Sequence, residues 1–251
     1  MLLRVISFNI RCCDDIDGNS IAERAPRLAA VTAPFQADVM GFQEYRPAWE
    51  PHLRELFGKD YDMFWKHRCQ IDKEATPILW RKDRFDCLER GYFWLSDTPD
   101  EESQGWDALY NCHRICVFVL LQDKQTGKTF RFINTHLGFG DQEQVKSSEL
   151  ILQRCGKTPQ YPNVLVGDFN MIPDSPGYSR MVQENIDVNA ATVCDMGTTF
   201  HGYHPETVTN EHIDYCFVDP RITPIGQAII RDTVDGKYPS DHFGLFALLD
   251  I

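Results

Sequence analysis

No stretch of the 251-residue chain approaches the ~20 consecutive apolar residues that a membrane-spanning helix needs. Cations are also scarce: 25 Lys plus Arg stand against 37 Asp plus Glu, for a formal net charge of −12. Tight, sequence-independent binding of long duplexes relies on releasing many counterions, so no strong long-duplex binding is expected. Between Arg54 and Arg90 Lys and Arg are denser, but they are spread among aromatics and acids, as on a solvated face. Nine cysteines are present, an odd number, yet no Cys-x-x-Cys pair occurs, which removes zinc-ribbon and thioredoxin-like readings. Cys112, His113 and Cys116 lie close together, but they open the apolar run "RICVFVLLQ", where successive side chains face opposite ways. Buried free thiols in a reducing compartment account for them better than a zinc site.

Other signatures are missing too. There is no Gly-x-Ser-x-Gly elbow, no His-Glu-x-x-His and no P-loop. No internal repeat, low-complexity tract or Gly/Ser linker divides the chain, so one domain over residues 1–251 is expected. The opening "MLLRVISFNIR" does not read as a secretory signal, because its apolar run is short, Arg4 interrupts it and no small-residue cleavage site follows. The expectation is a soluble, cytoplasmic protein without a membrane span; oligomeric state is not legible.

What is present is a large apolar fraction, 43% of residues, with 12% aromatic, enough for a sizeable core. A strand is expected over about Leu3 to Asn9. A helix follows, announced by the capping-box pair Ser20 and Glu23, with Leu28, Val31 and Phe35 at helical spacing and Pro34 closing it. "ADVMGFQE" reads as a strand and "AWEPHLRELFG" as a short helix stopped by Gly58. Strands then dominate: "YDMFWKH", "TPILWR", "RGYFWLS", "HRICVFVLLQD" and "FRFINTHL", the last two joined through Gly127 by a hairpin signal. "DQEQVKSSELILQRC" is a helix and "NVLVGDFN" a strand; after a looser stretch come "HIDYCFVD", "QAIIRD" and "DHFGLFALLDI". Ten to twelve strands in runs, with three or four helices, suggest two packed sheets with helices outside.

One pattern recurs. Apolar strands end on chemically useful polar residues: Asn9, Glu44, Asn134 with His136, Asp168 with Asn170, Asp214, and Asp241 with His242. One such ending is a turn. Six of them describe rigid strands delivering side chains from distant sequence into one cleft. Carboxylates and carboxamides without a thiolate cluster suit a hard divalent cation, Mg²⁺ or Mn²⁺, and the histidines supply acid–base groups near neutral pH.

Taken in order, "SFNIR", "GFQE", "NTHL", "GDFN", "HIDYCFV" and "SDHFG" resemble the endonuclease/exonuclease/phosphatase superfamily, the deoxyribonuclease-I-like group that includes abasic-site endonucleases, neutral sphingomyelinases, inositol-polyphosphate 5-phosphatases and poly(A) deadenylases. "PILWRKDRF", "GYFWLSDTPD" and "TTFHGY" are similar to a bacterial-type metal-dependent hydrolase branch of it. The resemblance implies an α+β fold, a four-layer αββα sandwich with the site at one edge of two packed mixed sheets. It implies Glu44 as the principal metal ligand, with Asn9 and Asp241 beside it. His242 is similar to the histidine that activates water or contacts the scissile phosphate, with Asp214 fixing its tautomer. Asp168 and Asn170 then face the phosphate, Asn170 as a donor and Asp168 as base, second-metal ligand or orienter. His136 matches the histidine that assists the phosphoryl group or leaving group, with Glu74 as its partner, and Arg114 matches a phosphate-contacting arginine.

Departures fall around the expected pocket: Gly138 and Phe139 replace the Asp-His that some relatives carry after "NTHL", His212 stands where Arg is common, and His201 is expected near the cleft. The reading is a Mg²⁺- or Mn²⁺-dependent phosphodiesterase or phosphatase. Its partner would be a phosphorylated substrate: a small molecule, a short oligonucleotide or a nucleic-acid end. The alternative is a catalytically silent binding module retaining the fold, which should have lost a residue such as Glu44 or His242.

Overall fold

The computed structural model describes residues 1–107, 109–156, 160–192, 197–208 and 211–251. The chain begins with β1 (Leu2–Asn9), α1 (Ile21–Thr32) and β2 (Val39–Gln43). Then come α2 (Glu50–Phe57), β3 (Tyr61–Phe64), β4 (Ile78–Arg81), β5 (Phe85–Trp94), β6 (Ile115–Asp123) and β7 (Thr129–His136). The second half runs α3 (Asp141–Ile151), β8 (Asn163–Asp168), α4 (Pro176–Met181), the two-residue β9 (Ile186–Asp187), α5 (Val188–Ala191), β10 (Asp214–Val218), β11 (Thr223–Ile230) and β12 (Gly244–Asp250).

Two six-stranded sheets result, ordered β11-β12-β1-β2-β4-β3 and β5-β6-β7-β8-β10-β9. Each is mixed: β1 with β2 and β7 with β8 are parallel, and the remaining pairs are antiparallel. Their inner faces share one apolar layer in which Leu3, Val5 and Val39 meet Val117, Phe132 and Val166. The outer face of the first sheet, through Ile6, Phe8 and Phe42, packs on Ala25 and Leu28 of α1 and Leu53 of α2. The outer face of the second, through Ile133, Leu165 and Phe217, packs on Ile151 of α3 and Met181 of α4. This is the expected four-layer αββα sandwich.

Local sequence explains the boundaries. Ser20 caps α1, accepting from the Glu23 amide while the Glu23 carboxylate accepts the Ser20 amide, so two orphan helix donors are satisfied. Gly127 takes φ +72° in the β6–β7 turn, as its place in "KQTGK" requires. Gly41 lets the sheets approach: a Cβ there would lie 2.6 Å from Val166 and 2.9 Å from Asn134.

Several elements differ from the sequence reading; β11, for one, begins at Thr223, four residues before "QAIIRD". β5 begins at Phe85, earlier than "RGYFWLS", because a bulge between Cys87 and Glu89 restores its pairing with β6. The helix expected over "DQEQVKSSELILQRC" stops as α-helix at Ile151, and Leu152–Gly156 continues as a π-turn. The looser stretch before β10 contains two short helices, α4 and α5.

Candidate active site

Strand alternation builds the site. On β8 the even-numbered Val164 and Val166 point into the layer between the sheets, and Asp168 continues that series at the strand end. On β7 Phe130 and Phe132 face inward, followed by Asn134 and His136; on β1 Leu3 and Val5 are followed by Ser7 and Asn9. The same side chains that make the core therefore turn polar as the strands reach one edge. Register aligns them, since His136 pairs with Asp168 across β7–β8 and Asp214 pairs with Asp168 across β10–β8. Behind this edge lies a second polar layer. Gln43 donates to Asn134 Oδ1 at 2.7 Å and to Ser7 Oγ at 3.2 Å, and Asn134 donates to the carbonyls of Phe42 and Pro77. Asn134 is thus a cross-sheet brace rather than a member of the cleft.

Asn9 Nδ2 donates to Glu44 Oε1 at 3.1 Å and to Asp168 Oδ2 at 2.9 Å, while its Oδ1 accepts the Arg11 amide at 3.0 Å. Two carboxylate neighbours require the NH₂ end of the carboxamide to face them. Glu44 Oε2 accepts the Cys12 amide at 2.9 Å, and Glu44 itself sits at φ +60°, an uncommon conformation for a non-glycine residue. Asp168 Oδ2 also lies 3.5 Å from His136 Nε2 and 3.7 Å from His242 Nε2. His242 Nδ1 meets Asp214 Oδ2 at 2.9 Å. Asn170 Nδ2 lies 3.2 Å from His136 Nε2 and donates to the Leu137 carbonyl. Glu74 is buried, 3.5 Å from His136 Nδ1 and 2.7 Å from Arg68 Nη1. Arg114 is buried with Nη2 3.4 Å from Asp107, and among the described residues its Nε and Nη1 have no hydrogen-bond partner.

The charges respond to this crowding. Burial opposes ionisation of Glu44, but His136, the Cys12 amide, His242 and Asn9 outweigh it and hold the carboxyl well below its usual range. Burial pushes Asp168 upward, with His136 pulling back and Asp214 pushing further. Burial also raises Asp241, opposed by His242 and reinforced by the facing Glu44. Burial alone would lower His242, yet Asp214, Asp168 and Asp241 raise it to about 10. Among the described residues, Asp168, Asp214 and His242 form a group whose ligand atoms all lie within 4.8 Å. Asp214 and His242 within it are already joined to each other by a 2.9 Å hydrogen bond. A hard dication would be better suited by the half-buried Glu44 and the buried Asp241, carboxylates that repel one another.

A cleft of about 1610 Å³ opens onto this edge, lined by Glu44, His136, Asp168, Asn170, Asp241 and His242 among others. Glu74 and Arg114 also line it, and Asn9 and Asp214 stand directly behind through their hydrogen bonds to Asp168 and His242. Phe139 lines the cleft as well, but His201 and His212 do not. His201 is wholly buried with its ring against Tyr238 and Phe243, and His212 Nδ1 faces the Gly197 carbonyl. Aromatic packing has drawn both inward, leaving their neighbours Gly202, Tyr203, Glu211 and Ile213 on the wall. Cys112 is half-buried and Cys116 fully buried in the second sheet's outer core, as the apolar reading of that run requires.

Sequence reasoning passed over three supports. Ser240 Oγ donates to the Asn9 carbonyl at 2.6 Å and accepts the His242 amide at 3.3 Å, pinning the Asp241–His242 turn to β1. Thr199 Oγ1 accepts the amides of Ile213 and Asp214, steadying the start of β10. The buried Arg24 donates to the carbonyls of Ile10, Arg11 and Cys13, shaping the loop whose Cys12 amide meets Glu44. Ser240 could have been noticed beside Asp241; nothing local signals Arg24.

Two sheets that converge polar strand ends on an acid–histidine cluster at one edge define a class of αββα sandwich proteins. The chain belongs to the Endonuclease/Exonuclease/phosphatase family, whose sequence pattern matches residues 6–242. It is 25% identical over 275 residues to tyrosyl-DNA phosphodiesterase 2 of Danio rerio, an alignment that spans 97% of this chain and 66% of that protein. In structure it resembles an endonuclease/exonuclease/phosphatase family protein from Bacteroides thetaiotaomicron, with TM-score 0.91, 29% identity, and 100% and 99% of the two chains covered. It likewise resembles a mannosyl-6-phosphatase from the same species, with TM-score 0.89, 29% identity, and 99% and 100% covered. No helix among the described residues is long and apolar enough to cross a membrane.

Proposed function

We propose that this protein is a divalent-metal-dependent phosphoester hydrolase acting through in-line attack of water. The observation that carries this reading is the convergence of Glu44, Asp241, His136, Asp168, Asn170 and His242 on one cleft. The kinship to a phosphodiesterase and a phosphatase agrees with it. Glu44 and Asp241 would hold Mg²⁺ or Mn²⁺, which supplies charge neutralisation at the phosphoryl oxygens when bound. Asn9, expected beside the metal, presents N–H groups to Glu44 and Asp168 and so orients both carboxylates.

The remaining roles follow from hydrogen-bonding capacity. Asp214 holds His242 Nδ1–H, leaving Nε2 directed toward Asp168 and the cleft, where it exchanges a proton with the reacting oxygen. Asp168 sits between His136 and His242 and orients the attacking water. Asn170 and His136 donate to phosphoryl oxygens, with Glu74 steadying the imidazole from its far side. Arg114, with two donor nitrogens that have no partner among the described residues, supplies a fixed positive charge to the same phosphate.

The deciding experiment compares hydrolysis of bis(p-nitrophenyl) phosphate and p-nitrophenyl phosphate in Mg²⁺, Mn²⁺ and EDTA, with His242→Ala as control. Turnover that needs metal and His242 supports the reading, and the ratio of the two rates separates diester from monoester preference. Turnover that survives both EDTA and His242→Ala overturns it.

A further inference from the structure

The cleft is much larger than a phosphoryl group, and one of its walls is aromatic. Tyr110 and Phe139 lie with ring centroids 5.1 Å apart and planes at 60°, forming an open corner rather than a flat stack. Both line the cleft, yet Tyr110 is 64% exposed and Phe139 half-buried. Phe139 follows His136 by three residues, and Tyr110 precedes Arg114 by four, so the corner adjoins the phosphate-facing groups on two separate chain segments.

A single buried carboxylate joins those segments. Asp107 is 1% exposed; its Oδ1 accepts the amides of Leu109 and Tyr110 at 3.0 and 3.1 Å. Its Oδ2 lies 3.4 Å from Arg114 Nη2. It also presses on Gly138, immediately before Phe139, where an added Cβ would sit 2.7 Å from the Asp107 side chain. One residue thus sets the loop bearing Tyr110, the backbone bearing Phe139 and the guanidinium of Arg114 relative to each other. Neither the family resemblance nor the strand-end pattern points to it.

The charge of the cleft limits what the corner can hold. Asp14, Asp17, Asp141 and Glu211 are exposed along the cleft wall, while the arginines that share it, Arg11, Arg46, Arg68 and Arg114, each face a carboxylate of the protein, so a polyanion entering beyond the scissile phosphate meets repulsion. An uncharged ring stacks on an aromatic face without that cost.

We infer that Tyr110 and Phe139 form a subsite for an uncharged ring in the alcohol portion of the substrate. Asp107 is the positioning residue that keeps this subsite in register with Arg114. The inference rests on the phosphoester-hydrolase reading and names its substrate class: a small phosphoester carrying a sugar ring, a nucleobase or an aryl group, and not a long polynucleotide.

The test uses the full chain with Mg²⁺ or Mn²⁺ and four alcohol portions: glycerol phosphate, a hexose 6-phosphate, a nucleoside 5′-monophosphate and phenyl phosphate. Each is offered as the monoester and as its methyl diester, and the ring class with the lowest KM identifies the occupant. At least one ring-bearing ester should bind more tightly than the glycerol ester. Tyr110→Ala should raise that KM about tenfold, with kcat changing far less, and Tyr110→Phe should restore it. Asp107→Asn should raise the same KM and abolish the further effect of Tyr110→Ala. Gly138→Ala, which displaces the Asp107 carboxylate, gives an independent route to the same KM increase should Asp107→Asn not fold. Equal KM across the series, or a ring KM indifferent to Tyr110→Ala, overturns the subsite. A KM unmoved by whichever of Asp107→Asn and Gly138→Ala fold overturns the role of Asp107. Hydrolysis of none of the esters by the wild-type chain overturns the phosphoester reading itself and this inference with it.

Discussion

Asn9 Nδ2 lies 2.9 Å from Asp168 Oδ2, a hydrogen bond that crosses from one sheet to the other at the edge where both present their polar ends. The same nitrogen donates to Glu44, so one carboxamide ties together carboxylates that would otherwise repel. Asn9→Ala should therefore lose on the order of 2 kcal/mol of stability and at least about tenfold in turnover. Denaturant unfolding and steady-state kinetics measure the two effects. A variant with wild-type turnover would remove Asn9 from the orienting role.

Glu44 is expected to dominate cation binding. In the wild type, Mg²⁺ at about 100 times its Kd should stabilise the fold by about 2.7 kcal/mol relative to EDTA. Glu44→Gln should lose most of that increment, because a neutral amide replaces the carboxylate. Thermal scans with and without Mg²⁺ check this, and an undiminished shift in the variant would transfer the metal site elsewhere.

The Asp214–His242 pair gives a kinetic prediction. Asp214→Asn keeps the shape but can present an N–H to Nδ1, favouring the wrong imidazole tautomer. The expected loss is about 10²- to 10⁴-fold in kcat, with KM changing little. Equal losses in both parameters, or none, would argue that His242 is held by packing alone.

His201 should make the fold acid-sensitive. Burial, helped by the neighbouring His242, lowers it from the ordinary 6.5 to about 4. The folded state therefore binds its proton later than the unfolded chain. Its contribution is present above about pH 6.5 and is lost as pH falls toward 4. Between those limits wild-type stability should decline more steeply than that of His201→Gln. Parallel curves of unfolding free energy against pH would exclude His201 as the source.

Much of the architecture is legible in the chain. The apolar strands and their polar ends are visible because strand alternation is a local property: Val164, Val166 and Asp168 stand two apart whatever surrounds them. The Ser20–Glu23 cap is legible for the same reason. His201 and His212 look equally functional in sequence, yet both turn inward: the ring of His201 meets Tyr238 and Phe243 from another segment, and that of His212 packs on Tyr215 with its Nδ1 against the Gly197 carbonyl. Asp107 looks like a loop acid until Arg114 and Gly138 close around it.

The sequence by itself determined which residue types reach the ends of the strands, and so the class of chemistry available. Only the tertiary structure decided which of them meet. Register brings His136 and Asp214 to either side of Asp168, and the packing of one sheet on the other brings Asn9 and Glu44 to the same place. The reason is physical: side-chain periodicity is encoded within a few residues, whereas the juxtaposition of Asn9 with Asp168, 159 positions apart, exists only once the shared apolar layer is buried.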